Sequence, residues 1–195
     1  MANPRGQGDL LRARLVEAAS AMLTDPQAIA VPSLRAVARA CEVSPAAVYL
    51  HFDSQVALIQ AVIDEQLARM SAAVAGRDAD GTPAERLTAL GLAYVEWGIA
   101  NPGAYQLLFE SADRLDVAAP HDESESRWDL IRGAADLIGA ALGTSPERSR
   151  RLAFQVWAAL HGIASLRIHK PDLDWPTSLA DEVAALVATL PARPG

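Results

Sequence analysis

The stretch V-A-R-A-C-E-V-S-P-A-A-V-Y-L-H-F, residues 37–52, contains the end of one short helix and the whole of a second. Ser44 and Pro45 begin the second helix, because serine is a favoured N-cap and proline fits the first helical position. Only Glu42 and Val43 separate the two helices. Small apolar side chains on both helices supply the core that a close crossing needs. The stretch therefore predicts a helix-turn-helix, with a third helix before it.

The rest of the chain is also expected to be helical. Alanine is abundant, apolar residues recur every three to four positions, and no alternating strand pattern is found. Thr82 to Glu85 and Thr144 to Glu147 fit capping boxes, and Gly143 fits the residue after a helix. The sequence thus predicts an all-α fold of nine helices. They are expected at about 9–23, 34–41, from 45, 53–75, 83–100, 102–109, 124–142, 144–169 and 178–190.

Length and composition exclude several classes of protein. The chain has 195 residues, of which 51% are apolar and 21% charged, so disordered, collagen-like and disulfide-scaffold classes do not fit. The single cysteine, Cys41, cannot form an internal disulfide, which suits a reducing compartment. No apolar run approaches the ~18 residues of a membrane span, and residues 1–10 lack the apolar core of a signal peptide. A cytoplasmic protein is expected.

The negative charge of the chain is unevenly distributed. The net charge is −7, yet residues 1–60 contain five arginines and five carboxylates. All of the net negative charge therefore lies in residues 61–195, where we interpret it as a solvated surface that is repelled by DNA. The neutral first third permits DNA binding without favouring it.

The helix-turn-helix segment resembles the DNA-binding segment of TetR-type repressors. Their signature there is roughly I-A-x-x-A-G-V-S-x-G-T-L-Y-x-H-F-x-S-K-x-x-L. Val43-Ser44 and Tyr49-Leu50-His51-Phe52 match it, and the resemblance covers about the first 60 to 75 residues. It implies a DNA-binding domain over residues 1–56 and a ligand-binding and dimerisation domain over residues 57–195.

Several polar residues of this segment suit contacts with DNA. Ser33 and Ser44 place hydroxyls and N–H groups at helix N-termini, where anions bind well. Tyr49 and His51 can donate hydrogen bonds to phosphates, and the resemblance implies that they do. Arg35 can reach a phosphate or a guanine edge.

The beginning of the recognition helix is apolar. Pro45, Ala46 and Ala47 have no polar side-chain atoms, so they can contact only thymine methyls or fit the groove by shape. Gln55 stands where the family has lysine, which removes one phosphate charge, and Glu42 stands where it has glycine, which predicts a left-handed residue. The expected compensation comes from the arginines near the N-terminus, Arg5, Arg12 and Arg14.

The aromatic residues of the second part predict a ligand cavity. All four tryptophans lie beyond residue 90. Helices four to eight are expected to enclose a mostly apolar pocket with His161 as a polar group. Core filling is the alternative role for each aromatic side chain. The expected lining consists of Tyr94, Trp97, Phe109, Trp128, Trp157 and His161.

The last two helices predict a dimer. Helix eight is apolar nearly all round and must be buried on most sides, which a second copy of the chain would achieve. In TetR-type proteins the last two helices pair in this way, and residues 157–166 resemble a subclass with a Trp…His-Gly…Ser-Leu stretch. A monomer with both helices in its centre is the alternative. The expected interface residues are Val156, Leu160, Ile163, Val183, Leu186, Val187 and Leu190.

No sequence motif supports catalysis or metal binding. The chain lacks G-x-S-x-G, P-loop and H-E-x-x-H patterns. Cys41 is expected to be a small buried apolar residue. The acidic loop at 110–123 has no regular ligand spacing, so we expect it to be solvated. No enzyme activity, cofactor or metal is expected.

These patterns predict a homodimeric, ligand-responsive transcriptional regulator. It would be a repressor that binds a near-palindromic operator in double-stranded DNA and is released by a small apolar effector. The opposite sign, in which the ligand promotes DNA binding, stays open. The alternative function is an all-α small-molecule-binding protein whose helix-turn-helix has lost DNA binding. No membrane partner is expected.

Overall fold

A computed structural model describes residues 7–25, 31–77, 80–110 and 125–190. Within these ranges the chain forms helices and no strands, so the predicted all-α fold with nine helices is confirmed. Arg5 and residues 111–123 of the expected acidic loop lie outside the described residues. The helices are α1 (Gln7–Leu23), α2 (Leu34–Ala40), α3 (Pro45–Tyr49), α4 (Gln55–Ala75), α5 (Pro83–Ala100), α6 (Pro102–Phe109), α7 (Glu125–Leu142), α8 (Pro146–His169) and α9 (Leu179–Ala188).

Side-chain caps begin most of the helices as the sequence predicts. The Ser33 hydroxyl accepts a hydrogen bond from the Ala36 N–H at 3.2 Å, and the Ser44 hydroxyl accepts one from Ala47 at the same distance. Thr82 and Glu85 form a complete capping box at the start of α5. These caps bind N–H groups that have no partner within the helix, which sets where each helix begins.

The capping box predicted at Thr144 to Glu147 is wrong. Ser145 is the N-cap of α8, and its hydroxyl accepts a hydrogen bond from the Arg148 N–H at 3.3 Å. Pro146 occupies the first helical position and holds the preceding residue in an extended conformation, as an N-cap requires. Gly143 has a φ of 58°, so the predicted left-handed residue after α7 is confirmed.

The chain divides into two compact units. The first comprises residues 1–67 and 102–121, and the second comprises residues 68–101 and 122–195. In the first unit α1 to α4 and α6 share one apolar core. Its buried members are Leu15, Val16, Ala19, Leu34, Val37, Ala38, Cys41, Val48, Phe52, Leu58, Val62 and Leu107.

Helix α6 approaches the end of α1 very closely. A Cβ atom at Gly103 would overlap the carbonyl oxygen of Thr24, so only glycine allows this contact. Near it, the buried Gln66 amide of α4 donates a 2.8 Å hydrogen bond to the Ser20 hydroxyl of α1. The first unit therefore includes α6 as an integral element.

In the second unit α5 packs against α7, α8 and α9. A Cβ atom at Gly91 would lie 3.2 Å from a methyl group of Val183 and 3.3 Å from one of Leu160, which shows how tightly these helices meet. Within the described residues, no helix is long and apolar enough to cross a membrane.

We expect Gly103→Ala to lower the free energy of unfolding of the first unit by about 1–3 kcal/mol, because the added methyl group overpacks the contact with Thr24. Gly133→Ala on α7 is the matched control, since a Cβ there meets no atom within 4 Å. The control should raise the free energy of unfolding by up to about 1 kcal/mol through better helix propensity. Urea denaturation measures both changes, and equal effects would refute the close contact.

Candidate DNA interface

The turn between α2 and α3 requires a left-handed residue. Glu42 has a φ of 57°, as the sequence predicts, and it is the one residue other than glycine with positive φ among those the structure describes. The turn is closed by the Val43 N–H, which donates to the Ala38 carbonyl at 3.0 Å. A non-glycine residue in this conformation costs about 1–2 kcal/mol, so the surrounding core must hold the turn in place.

Helix α1 holds the helix-turn-helix through a reciprocal pair of contacts. The Arg14 guanidinium donates to the Cys41 carbonyl at 3.1 Å, and the Cys41 thiol donates to the Arg14 carbonyl at 3.5 Å. Arg12 stacks over the Phe52 ring at 5.1 Å from its centroid. Cys41 is buried and free, so its predicted role as a small core residue is confirmed. Two of the three arginines predicted to support DNA binding thus also hold the motif together.

Helix α3 has one buried anchor and an apolar outer face. Val48 is fully buried, whereas Pro45 and Ala46 are exposed. Tyr49 is 54% exposed and Leu50, which follows the helix, is 84% exposed. The Leu50 side chain contributes little to the core because it is exposed. It extends the apolar face that Pro45 and Ala46 form at the start of α3.

The predicted polar residues surround this face. Ser33, Arg35 and Ser44 are exposed, Ala47 is half-buried, and His51 is half-buried. The two serine hydroxyls accept the capping hydrogen bonds described above, and each can still donate its own proton to a phosphate. These placements leave the predicted DNA contacts sterically possible.

Gln55 has a structural role that the sequence did not suggest. Its side-chain amide donates to the Pro32 carbonyl at 3.0 Å and to the Val31 carbonyl at 3.4 Å. The first residue of α4 is thereby tied to the segment that leads into α2. Gln55 is neutral, so it supplies none of the positive charge that a lysine at this position would carry.

The predicted ligand residues lie in different surroundings. Tyr94 is buried in α5 and Trp97 is half-buried. Phe109 belongs to the first unit, where its ring lies 4.9 Å from that of Tyr105.

The other three predicted ligand residues form a row of rings in the second unit. Phe154, which was not among the predicted residues, lies 5.7 Å from Trp128 and 6.2 Å from Trp157. Trp157 lies in turn 6.2 Å from His161. The spacing of residues 154, 157 and 161 along α8 is the signal that could have placed Phe154 in this row.

The structure buries most of the predicted dimer residues within one protomer. Val156, Leu160, Val183 and Val187 are buried, and Ile163, Leu186 and Leu190 are partly buried. The outward faces of α8 and α9 carry mostly small residues. They are Ala158, Gly162 and Ser165 on α8 and Ala180, Ala184, Ala185 and Ala188 on α9.

Comparison with known families agrees with this arrangement. Residues 17–62, which span the helix-turn-helix, match the family described as bacterial regulatory proteins, tetR family. Residues 87–190 match the family described as tetracyclin repressor-like, C-terminal domain. The chain belongs to the TetR family. No curated protein matches it.

Solved structures share the TetR-family regulator fold over nearly the whole chain. A protein of unknown function from Rhodococcus sp. RHA1 is 27% identical, with a TM-score of 0.75 and coverage of 96% of both chains. A TetR-like transcriptional regulator from the same organism is 20% identical, with a TM-score of 0.67 and coverage of 96% of this chain and 97% of that one. Mycobacterium smegmatis AmtR is 21% identical, with a TM-score of 0.57 and coverage of 95% and 89%.

Two substitutions separate the strain at Glu42 from its charge. Glu42→Gly removes both, and we expect it to raise the free energy of unfolding by about 1 kcal/mol because glycine adopts positive φ freely. Glu42→Gln removes only the charge and should leave stability within about 0.5 kcal/mol of the original. Urea denaturation measures both variants. Equal stability of the two would show that the turn is not strained.

Proposed function

We propose that this TetR-family chain is a cytoplasmic transcriptional regulator, without enzyme activity, that binds a near-palindromic DNA operator as a homodimer and responds to a small ligand. Residues 1–56 would form its DNA-binding domain and residues 57–195 its ligand-binding and dimerisation domain. The observation that carries the proposal is the outer face of α3, which is exposed on a helix held by a buried core. We favour repression, in which binding of the ligand releases the protein from DNA.

The phosphate contacts would come from residues around α2 and α3. Tyr49 and His51 lie at the end of α3, and Ser33 and Ser44 cap the two helices. Arg35 is exposed on the first turn of α2 and supplies a positive charge. Such contacts orient a protein on DNA and make binding depend on salt, because bound phosphates release counterions.

The base contacts would be mainly apolar. Pro45, Ala46 and Ala47 begin α3, and Leu50 projects after it. Apolar side chains in the major groove recognise the methyl group of thymine, which the other bases lack. We therefore expect thymines in the operator where α3 enters the groove, with Arg35 as the main source of direct hydrogen bonds.

The ligand would act through the elements that run between the two units. Helix α4 passes from the first unit into the second at residues 67 and 68, and α5 continues directly into α6. Helix α6 packs on α1 through Gly103. A ligand that binds better to a form with displaced α4 or α6 would lower the affinity for the operator by that difference.

The second candidate function is that of a protein that has lost DNA binding, and the contacts of Gln55 favour it. Its neutral amide donates to the Pro32 carbonyl, whereas the lysine that the family has at this position would supply a positive charge. Residues 1–60 have no net positive charge. A protein of this second kind would bind a small molecule without recognising an operator.

Substitutions in α2 and α3 distinguish the two candidates. Tyr49→Phe removes one donor to a charged acceptor, which corresponds to about a tenfold or larger loss of operator affinity. Arg35→Ala should weaken binding and reduce the salt slope by about 0.9 if it contacts a phosphate. Fluorescence anisotropy at several salt concentrations measures both. Arg151→Ala is the control, because Arg151 is exposed on α8, where it pairs with Glu147. If all three variants bind alike, the assigned interface is wrong.

The dimer interface is proposed on the outward faces of α8 and α9. The small residues at 158, 162 and 184 would allow the two copies of these helices to approach closely. A Cβ at Gly162 would meet no atom of another described helix within 4 Å. Leu166, which is 54% exposed, lies on the same face of α8. The predicted residues Ile163, Leu186 and Leu190 are only partly buried and would border this face.

Leu166→Arg should convert the dimer to a monomer, because it places a charge within the apolar interface. Leu173→Arg is the matched control, since Leu173 is 53% exposed but lies in the turn between α8 and α9. Sedimentation velocity measures the mass of each variant. A parent chain that is monomeric, or a Leu166→Arg variant that stays dimeric, would contradict the proposed interface.

A further inference from the structure

A groove of about 740 Å³ lies between α7 and α8 in the second unit. Trp128 and Phe154 form its aromatic end, with ring centroids 5.7 Å apart, and Ile131 lies beside them. The end nearer the turn between the two helices is lined by Thr144 and Ser149. Of the six ligand residues predicted from the sequence, only Trp128 lines this groove. It is therefore a different site from the cavity that the sequence predicts.

Ser149 is an unpartnered polar group in the wall of the groove. The residue is 2% exposed, and its hydroxyl has no hydrogen-bond partner among the described residues. Gly139 lies opposite, and a Cβ there would stand 3.1 Å from the hydroxyl oxygen. Any larger residue at 139 would therefore crowd the hydroxyl. Buried hydroxyls in native proteins nearly always have a partner, so a bound acceptor would explain this one.

Arginine side chains at the groove can bind an anion. Arg132 and Arg150 line it together with Asp136. Arg132 is paired with Asp129 on the exposed side of α7, so Arg150 is the guanidinium group that we assign to the anion. Guanidinium groups bind carboxylates through paired hydrogen bonds, which gives both attraction and orientation.

We propose that the α7–α8 groove binds an aryl carboxylate. Its ring would lie against Trp128 and Phe154, and its carboxylate would accept hydrogen bonds from Arg150 and the Ser149 hydroxyl. Four residues of helix separate Phe154 from Arg150, a rise of about 6 Å, which suits a carboxylate one or two bonds away from a bicyclic ring. The role of this ligand as an effector rests on the proposed function, whereas its binding does not.

Isothermal titration calorimetry on the full chain tests the proposal, with naphthalene-2-acetate and its neutral amide as probes. We expect the acid to bind saturably, one molecule per chain, and at least tenfold more tightly than the amide. Arg150→Gln should remove this preference. Arg151→Gln is the matched control on the same helix and should keep it, because Arg151 does not line the groove. Absence of saturable binding at millimolar concentration, or equal affinity for acid and amide, would overturn the proposal.

A blocking substitution tests the location of the site. Ala135→Trp should fill the groove and abolish binding of the acid, while Ala140→Trp, on an exposed position of α7 outside the groove, should leave it unchanged. Circular dichroism checks that both variants are folded. If Ala135→Trp does not fold, the Arg150→Gln variant tests the site, because Arg150 is exposed and its substitution leaves the core intact. Unchanged binding to folded Ala135→Trp would overturn the proposed site.

A DNA titration in the presence of naphthalene-2-acetate separates this inference from the proposed function. Binding of the acid together with a changed operator affinity supports the site and its role as an effector site. Binding of the acid without any change in operator affinity supports the site and refutes the effector role.

Discussion

The proposed DNA interface of this chain depends on the apolar core beneath a helix of five residues. A helix as short as α3 is not stable alone, because forming its first turn costs more entropy than one hydrogen bond returns. Val48 anchors α3 in the core that α1, α2 and α4 complete, and the Ser44 cap begins it. The same core must hold Glu42 at positive φ. The position of the outer residues Tyr49 and Leu50 is therefore determined by residues that are buried beneath the proposed interface.

The arginines of α1 combine a structural role with the role in DNA binding that we propose for them. Arg14 joins α1 to the end of α2 through the Cys41 carbonyl, and Arg12 stacks on Phe52. Their guanidinium groups keep a positive charge near the helix-turn-helix while they hold it together. Residues 1–60 have no net positive charge, so the charges of Arg12 and Arg14 matter for the attraction of DNA. Helix α1 is therefore part of the proposed DNA interface.

Local chemistry made much of the fold predictable from the sequence. Serine and proline pairs, one capping box and Gly143 placed the helix ends, and the match to the family's glycine position predicted the left-handed Glu42. The sequence pattern predicts the cap of α8 one residue early, because Thr144 and Glu147 fit a capping box although Ser145 stands directly before Pro146. The faces of α8 were harder to predict, since a helix that is apolar nearly all round has no periodicity to show which side meets its own unit. The α7–α8 groove depends on two helices that pair in space, so no single segment of sequence indicates it.

Selection from a random pool of duplex DNA at two salt concentrations tests the central claim most directly. The account predicts that the purified chain enriches a near-palindrome whose half-sites are one turn of DNA apart, about 34–36 Å. The affinity for this sequence should fall steeply as salt increases. If no sequence is enriched even at low salt, with the chain folded and dimeric, the helix-turn-helix does not recognise DNA and the account is contradicted.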